Sequence, residues 1–160
     1  GAVTLDGAER PCLVLEHVPG RDLATLVSEL GTVPEGLLRE IAVQADPKLL
    51  KRVIDNLVYN AIRHTPPGGE IVVSSAIEAE QIAIAIRDTG EGIAPEQLPH
   101  LFDRFYRADT SRTRDTGGSG LGLAIVKALV EIHQGKVLAE SAGPNKGSTF
   151  TVTLPIHPED

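Results

Sequence analysis

Two hydrophobic spacings divide this chain into elements. After Asp46-Pro47, which reads as an N-cap followed by proline at the first helical position, apolar pairs recur every four residues: Leu49/Leu50, Val53/Ile54, Leu57/Val58 and Ala61/Ile62. That period predicts a helix to about Arg63, which Pro66-Pro67-Gly68-Gly69 ends. The period then changes to two. Glu70 to Ile77 and Gln81 to Asp88 read as strands joined by a short acidic turn, an antiparallel hairpin with Ile82, Ile84 and Ile86 on one face. A second long helix is predicted from near Gly120 to about Gln134, with Gly135 as its C-terminal cap. Two closing strands, Lys136 to Ser141 and Ser148 to Leu154, flank a turn from Gly143 to Gly147. The last of them sets Phe150, Val152 and Leu154 against Thr149, Thr151 and Thr153, as one buried face requires.

The remaining stretches are less regular. Val3 to Val18 reads as two short strands about Asp6-Gly7-Ala8-Glu9, and Asp22 to Leu30 as a short helix. Leu37 to Val43 fits helix and strand equally. Glu96 to Tyr106 reads as a short helical segment and carries three of the five Phe and Tyr residues in the chain. Ala108 to Gly120 is nearly free of large apolar residues and rich in Gly, Ser, Thr, Arg and Asp, so it buries little and is expected to act as a mobile lid. Together these elements predict an α+β fold: a two-layer sandwich in which helices cover one face of a mixed sheet.

Composition narrows the class. With 160 residues and 41% apolar content the chain supports one core rather than two. We divide it into a 46–155 core, a 1–45 part of the same domain, and a 156–160 tail. A net charge of -7 argues against a nucleic-acid or anionic-membrane surface, so small molecules and proteins are the expected partners. No run approaches the roughly 18 apolar residues of a membrane span, and no basic-then-apolar leader opens the chain. The single cysteine, Cys12, lies in the apolar run Cys12-Leu13-Val14-Leu15 and reads as a small core residue. The absence of an internal disulfide agrees with a cytoplasmic setting.

Three features carry candidate chemistry. Asp88 has the parity of Ile82, Ile84 and Ile86, so its carboxylate is expected on the apolar side of the sheet, where it needs donors. An exocyclic amine such as that of adenine would serve, and Thr89-Gly90-Glu91-Gly92 lets backbone approach a flat ring; the plain alternative is a turn after a strand. Gly118-Ser119-Gly120-Leu121-Gly122 leads into a helix, where backbone N–H groups form an anion site. It is neither a P-loop nor a dinucleotide fingerprint, and by itself it reads equally as a flexible cap. Asn56 and Asn60 sit one helical turn apart on a face shared with Arg52 and Arg63. Their amide oxygens suit Mg²⁺, although a solvated face is the default for such residues. The order along the chain is the informative part: asparagine helix, aspartate-glycine turn, aromatic box, glycine lid.

On these motifs the chain resembles the GHKL, or Bergerat-fold, ATPases, and within them the ATP-binding catalytic domains of bacterial sensor histidine kinases. The segments that carry the likeness run from Asn56 to Pro66, Asp88 to Ile93, Leu101 to Arg107, Gly118 to Val126 and Gly147 to Phe150. The resemblance implies that Asp88 reads adenine, with Gly90, Gly92 and Ile93 beside it, and that Asn60 is the Mg²⁺ ligand. It implies that Asn56 and Arg63 neighbour the phosphates, that Arg107 contacts them from the aromatic box, and that Gly118, Ser119, Gly120, Leu121 and Gly122 cradle them. Thr149 and His64 complete the expected ATP-binding set; His64 stands where many members of the family have tyrosine.

The likeness also implies a mechanism. In related hydrolytic ATPases the position matching Asn56 is a glutamate that activates water, a role an amide cannot take. Asn56 and Asn60 are therefore expected to serve transfer of the γ-phosphate rather than hydrolysis. None of His17, His64, His100, His133 or His157 lies in a phospho-acceptor context of the kind His-Glu-x-x-Thr-Pro, so the acceptor histidine is expected on a separate dimerisation domain, with a response regulator downstream. ATP and Mg²⁺ are the expected cofactors. The fragment itself is expected to be a monomer, and the full-length protein to be anchored in the inner membrane. Rival readings are an anti-sigma-factor type serine kinase, a non-catalytic ATP-binding docking module, and a hydrolytic ATPase.

Overall fold

The computed structural model describes the backbone of residues 2–5, 8–16, 46–78, 80–107 and 120–155, with side chains described only from residue 46 onward. In chain order the elements are β1 (Ala2–Leu5), β2 (Ala8–Glu16), α1 (Pro47–His64), β3 (Glu70–Glu78), β4 (Gln81–Asp88), a single 3-10 turn (Leu98–His100), α2 (Gly122–Ile132), β5 (Lys136–Glu140) and β6 (Ser148–Pro155). The segments expected as a helix over Asp22–Leu30, as helix or strand over Leu37–Val43 and as a lid from Ala108 through Gly118 and Ser119 lie outside the described residues, as does the tail 156–160.

The strands form one six-stranded sheet in the order β1-β2-β3-β4-β6-β5. Each described pairing is antiparallel, so the two-layer α+β architecture stands while the strand directions differ from the mixed sheet expected. Three of these pairings join strands that follow one another through short connections, β1 to β2, β3 to β4 and β5 to β6, where only an antiparallel return fits. β4 lies at the centre of the described core. Its Ile82, Ile84 and Ile86 are buried and stand opposite Leu154, Val152 and Phe150 of β6. Val73 and Ile71 of β3 continue the same face.

Helix α1 begins where the sequence places it. Asp46 caps it, its carboxylate accepting from the Lys48 N–H at 2.9 Å, with Pro47 at the first position. The four-residue stripe Leu50, Val53, Ile54, Leu57, Val58, Ala61 and Ile62 is buried on the sheet, and Val126 and Val130 of α2 join the same core. Thr65 stops α1: its hydroxyl donates to the Ala61 carbonyl at 2.7 Å and its backbone turns extended.

Three local expectations are corrected. Helix α2 starts at Gly122, not Gly120, because Gly120 has φ of +66° and its carbonyl accepts from the Phe105 N–H at 3.0 Å. At its far end the left-handed residue is Gln134, φ +57°, and not Gly135. Gly135 is small for another reason: a Cβ there would run into the Thr153 carbonyl of β6. The aromatic segment 96–106 forms only the one 3-10 turn, and a positive φ of 65° at Phe105 lets no helix continue past that residue. Phe102 still reaches the core, edge-on to Phe150 with ring centroids 6.4 Å apart.

Candidate functional site

Asp88 is the last residue of β4 and keeps the parity of the three buried isoleucines before it. Its side chain is 4% exposed. A carboxylate so placed needs donors, and the fold supplies three. Oδ1 accepts from the Gly90 N–H at 2.8 Å and the Ser148 N–H at 3.2 Å, and Oδ2 accepts from the Ser148 hydroxyl. A carboxylate offers about four acceptor positions, so one remains, on Oδ2.

The turn after Asp88 is clamped from two sides. On one side lies the C-terminal end of α1: the His64 carbonyl accepts from the Glu91 N–H at 2.9 Å, and any Cβ at Gly90 would collide with that carbonyl. On the other side lies the β5–β6 turn. The Asn145 N–H donates to the Glu91 carbonyl at 2.6 Å and the Gly147 N–H to the Gly90 carbonyl at 3.1 Å. Gly92 and Gly147 both have positive φ, +68° and +69°, and Cβ atoms there would strike the carbonyls of Gly143 and Asp88. Ile93, partly buried, packs against the core and closes the turn.

The asparagine face of α1 runs toward the start of α2. Asn56 donates through Nδ2 to the Arg52 carbonyl at 2.7 Å, which fixes the amide and leaves Oδ1 free of that bond. A Cβ at Gly122 would stand 3.1 Å from Asn56 Oδ1, so the asparagine box and the helix N-terminus meet here. Asn60, one turn on, is partly buried. Arg63 and His64 are exposed in the last turn of α1, and His64 Nδ1 lies 3.3 Å from Glu91 Oε2. Gly120 lies against the backbone of Phe105 and Tyr106, the residues just before the exposed Arg107. Leu121 is partly buried at the same junction.

The structure therefore brings Asp88, Gly90, Gly92, Ile93 and the His64 backbone together, Asn56 with Gly122, and Gly120 with the residues before Arg107. It does not bring Thr149 to Asp88. Thr149 pairs with Arg87 and Glu140 on the opposite face of the sheet, and the hydroxyl beside the carboxylate belongs to Ser148. Parity alone signals this, because Ser148 shares a face with Phe150, Val152 and Leu154 just as Asp88 does with the isoleucines. Ser141 is the other residue that sequence reading passed over. It leaves β5 one residue earlier than expected, and its hydroxyl joins both turns.

These motifs, in this arrangement, coincide with a known family. The model of "Histidine kinase-, DNA gyrase B-, and HSP90-like ATPase" matches residues 45–158. The chain belongs to that family. Its relatives within this ATPase family include sensor histidine kinases. The chain is 47% identical to CusS of Escherichia coli O157:H7 over 116 residues, which is 72% of this chain and 24% of that protein. It is 40% identical to the sensor-like histidine kinase SenX3 of Mycobacterium bovis over 163 residues, 94% of this chain and 38% of the relative. Among solved structures, the mycobacterial sensor histidine kinase MprB matches with a TM-score of 0.65 and 36% identity, covering 73% of this chain and 78% of that one. The nucleotide-free catalytic domain of histidine kinase ThkA matches with a TM-score of 0.62 and 25% identity over 92% of this chain and 96% of that one. The chain thus spans between about a quarter and two fifths of the length of these curated relatives, and it corresponds to their ATP-binding catalytic part. Among the described residues no helix is long and apolar enough to cross a membrane, and no group of three or more His, Cys, Asp or Glu is placed to hold a metal.

Proposed function

We propose that this ATPase-family domain holds Mg-ATP and presents its γ-phosphate to a histidine on a separate dimerisation domain, as the catalytic part of a two-component sensor kinase. The observation that carries the reading is Asp88. It is a buried carboxylate whose protein donors leave one acceptor position on Oδ2, at the end of a strand beside a glycine turn, the chemistry an adenine amine completes. Gly90 and Gly92 let the turn pack directly on the His64 and Gly143 carbonyls, which fixes its backbone beside Asp88.

The phosphate end follows from α1 and α2. The N-terminal amides of α2, next to Gly120, Leu121 and Gly122, form an anion site that favours the β- and γ-phosphates. Arg63 and Arg107 add cationic donors at its rim. The amide oxygen of Asn60 is a hard donor, and together with phosphate oxygens and water it suits Mg²⁺, which usually takes few protein ligands. When bound, that ion supplies neutralisation of the phosphate charge. Asn56, held through Nδ2 to the Arg52 carbonyl, orients its oxygen toward the phosphate end and offers no proton-accepting carboxylate to a water molecule. The domain therefore favours transfer over hydrolysis. In that transfer an imidazole nitrogen of the acceptor histidine bonds to the γ-phosphorus, the bond to the β–γ bridging oxygen breaks, ADP departs, and the acceptor's proton passes to solvent. The acceptor domain and a response regulator are the partners this reading requires. The setting it requires is the cytoplasmic side of a kinase anchored in the inner membrane.

The test is calorimetric titration of the chain with a non-hydrolysable ATP analogue, with and without Mg²⁺, alongside Asp88→Asn. Saturable binding that Mg²⁺ strengthens and Asp88→Asn removes is the expected result. No binding to the parent chain would mean a nucleotide pocket that is degenerate or that needs the segment upstream, and would move the non-catalytic docking-module reading ahead. Incubation with labelled ATP is expected to leave the isolated chain unlabelled.

A further inference from the structure

Ser141 sits outside every motif that marks the family site, yet four polar groups surround its hydroxyl. Oγ accepts from the Ile93 N–H at 3.0 Å and from the Gly143 N–H at 3.3 Å, and of the two carbonyls within reach of its proton, Gly147 at 2.7 Å and Gly143 at 3.3 Å, the nearer is Gly147. A hydroxyl has one donor and two acceptor positions, so this one is fully used. It fastens the turn that follows Asp88 to the turn that precedes β6.

The third bond matters most because of what lies across it. The Gly147 carbonyl and the Ser148 N–H belong to the same planar peptide unit and point in opposite directions. Ser141 holds the carbonyl end, and the N–H end donates to Asp88 Oδ1 at 3.2 Å. Fixing the carbonyl fixes the plane, and with it the direction of the N–H. A donor on the carbonyl also polarises the peptide and strengthens its N–H as a donor.

We infer that Ser141 is a positioning residue for base recognition: acting through the 147–148 peptide, it sets the orientation of the Asp88 carboxylate and hence the selectivity for adenine. The inference rests on the adenine reading of Asp88, but its structural half does not need nucleotide. Without the Ser141 hydroxyl, the peptide tilts more freely, Oδ1 loses a well-directed donor, and the free position on Oδ2 is no longer held toward one base edge. Binding groups at the phosphate end are untouched.

The experiment compares the 160-residue chain with Ser141→Ala, Ser141→Cys and Ser141→Thr by two readouts. The first is the amide proton shift of Ser148 in the nucleotide-free chain, which is expected to move upfield in Ser141→Ala and to return toward the parent value in Ser141→Thr. The second is calorimetric affinity for ADP and for IDP, whose base carries a carbonyl where adenine carries the amine. In Ser141→Ala, ADP affinity is expected to fall by roughly five- to tenfold, in line with loss of one directed hydrogen bond. IDP affinity should change by less than about twofold, so the preference for adenine narrows. Equal losses for both nucleotides would overturn the inference, because general loosening of the fold lowers both. An unmoved Ser148 amide would overturn it independently of any nucleotide. Failure of the parent to bind ADP while the amide still shifts would instead remove the adenine reading and leave the Ser141 link intact. Ser141→Cys preserves the volume with a weaker donor, and it carries the same comparison with a smaller narrowing if the alanine chain does not fold.

Discussion

In the site proposed for nucleotide, the end assigned to adenine and the end assigned to phosphate are built by different means. At the adenine end Asp88, Gly90, Glu91, Ile93, Ser141, Gly147 and Ser148 are tied by short hydrogen bonds among two turns and one helix terminus, and the central carboxylate is buried. At the phosphate end Arg63, His64 and Arg107 are exposed, and the described contacts include the exposed His64–Glu91 pair, Asn56 beside Gly122, and Gly120 against Phe105. A base is flat, uncharged and recognised by direction, which rewards a site fixed in advance. A triphosphate carries several charges that act over distance and tolerate adjustment, so helix amides and long cationic side chains suffice until the ligand arrives.

If that contrast holds, substitutions at the adenine end should be costly and specific, while those at the phosphate end should be graded. The largest effect is expected for Asp88→Asn. Its amide would set an N–H₂ against the Ser148 donors or the base amine, and calorimetry should show nucleotide affinity reduced by about 100-fold or more, near 3 kcal/mol. Next comes Gly147→Ala, which combines a positive φ with a collision against the Asp88 carbonyl. Chemical denaturation should show a loss of about 2–3 kcal/mol, larger than for an exposed surface alanine. Asn60→Ala should leave the fold intact and reduce the gain in affinity that Mg²⁺ confers by about tenfold, roughly 1.4 kcal/mol, seen as convergence of the titrations with and without the ion. The smallest effect is expected at the exposed His64–Glu91 pair, where a double-mutant cycle on stability should give less than about 0.5 kcal/mol. A coupling above about 1 kcal/mol there would contradict the contrast, since it would make an exposed phosphate-side contact as stiff as the buried adenine side.

Much of this was legible in the residues themselves. Helix α1 was readable to within a residue because its cap, its proline and its four-residue apolar period all agree, and β4 because three isoleucines alternate up to Asp88. Asp88 was readable as a buried acid from parity alone. The helix ends were harder. Gly120 and Gly135 looked like a helix start and a cap, but glycine serves both backbone twist and close approach, and composition does not separate the two uses: Gly120 has the twist outside the helix, and Gly135 has the approach without it. The aromatic segment failed as a helix because the bond from Phe105 to Gly120 is a tertiary constraint no local pattern contains. Thr149 was taken from the family pattern when the parity of β6 pointed to its neighbour Ser148, and Ser141 carries no local signal, since its partners lie as far as 48 residues away in the chain.

The bond between Phe105 and Gly120 has an evolutionary consequence. It holds together the points at which the chain enters and leaves the segment 106–119. The entropy of closing such a loop grows slowly with its length, about 0.6 kcal/mol for each doubling. While that bond holds the two ends, a change in the number of residues between them therefore adds little closure entropy, and α2 and the adenine end are expected to tolerate it.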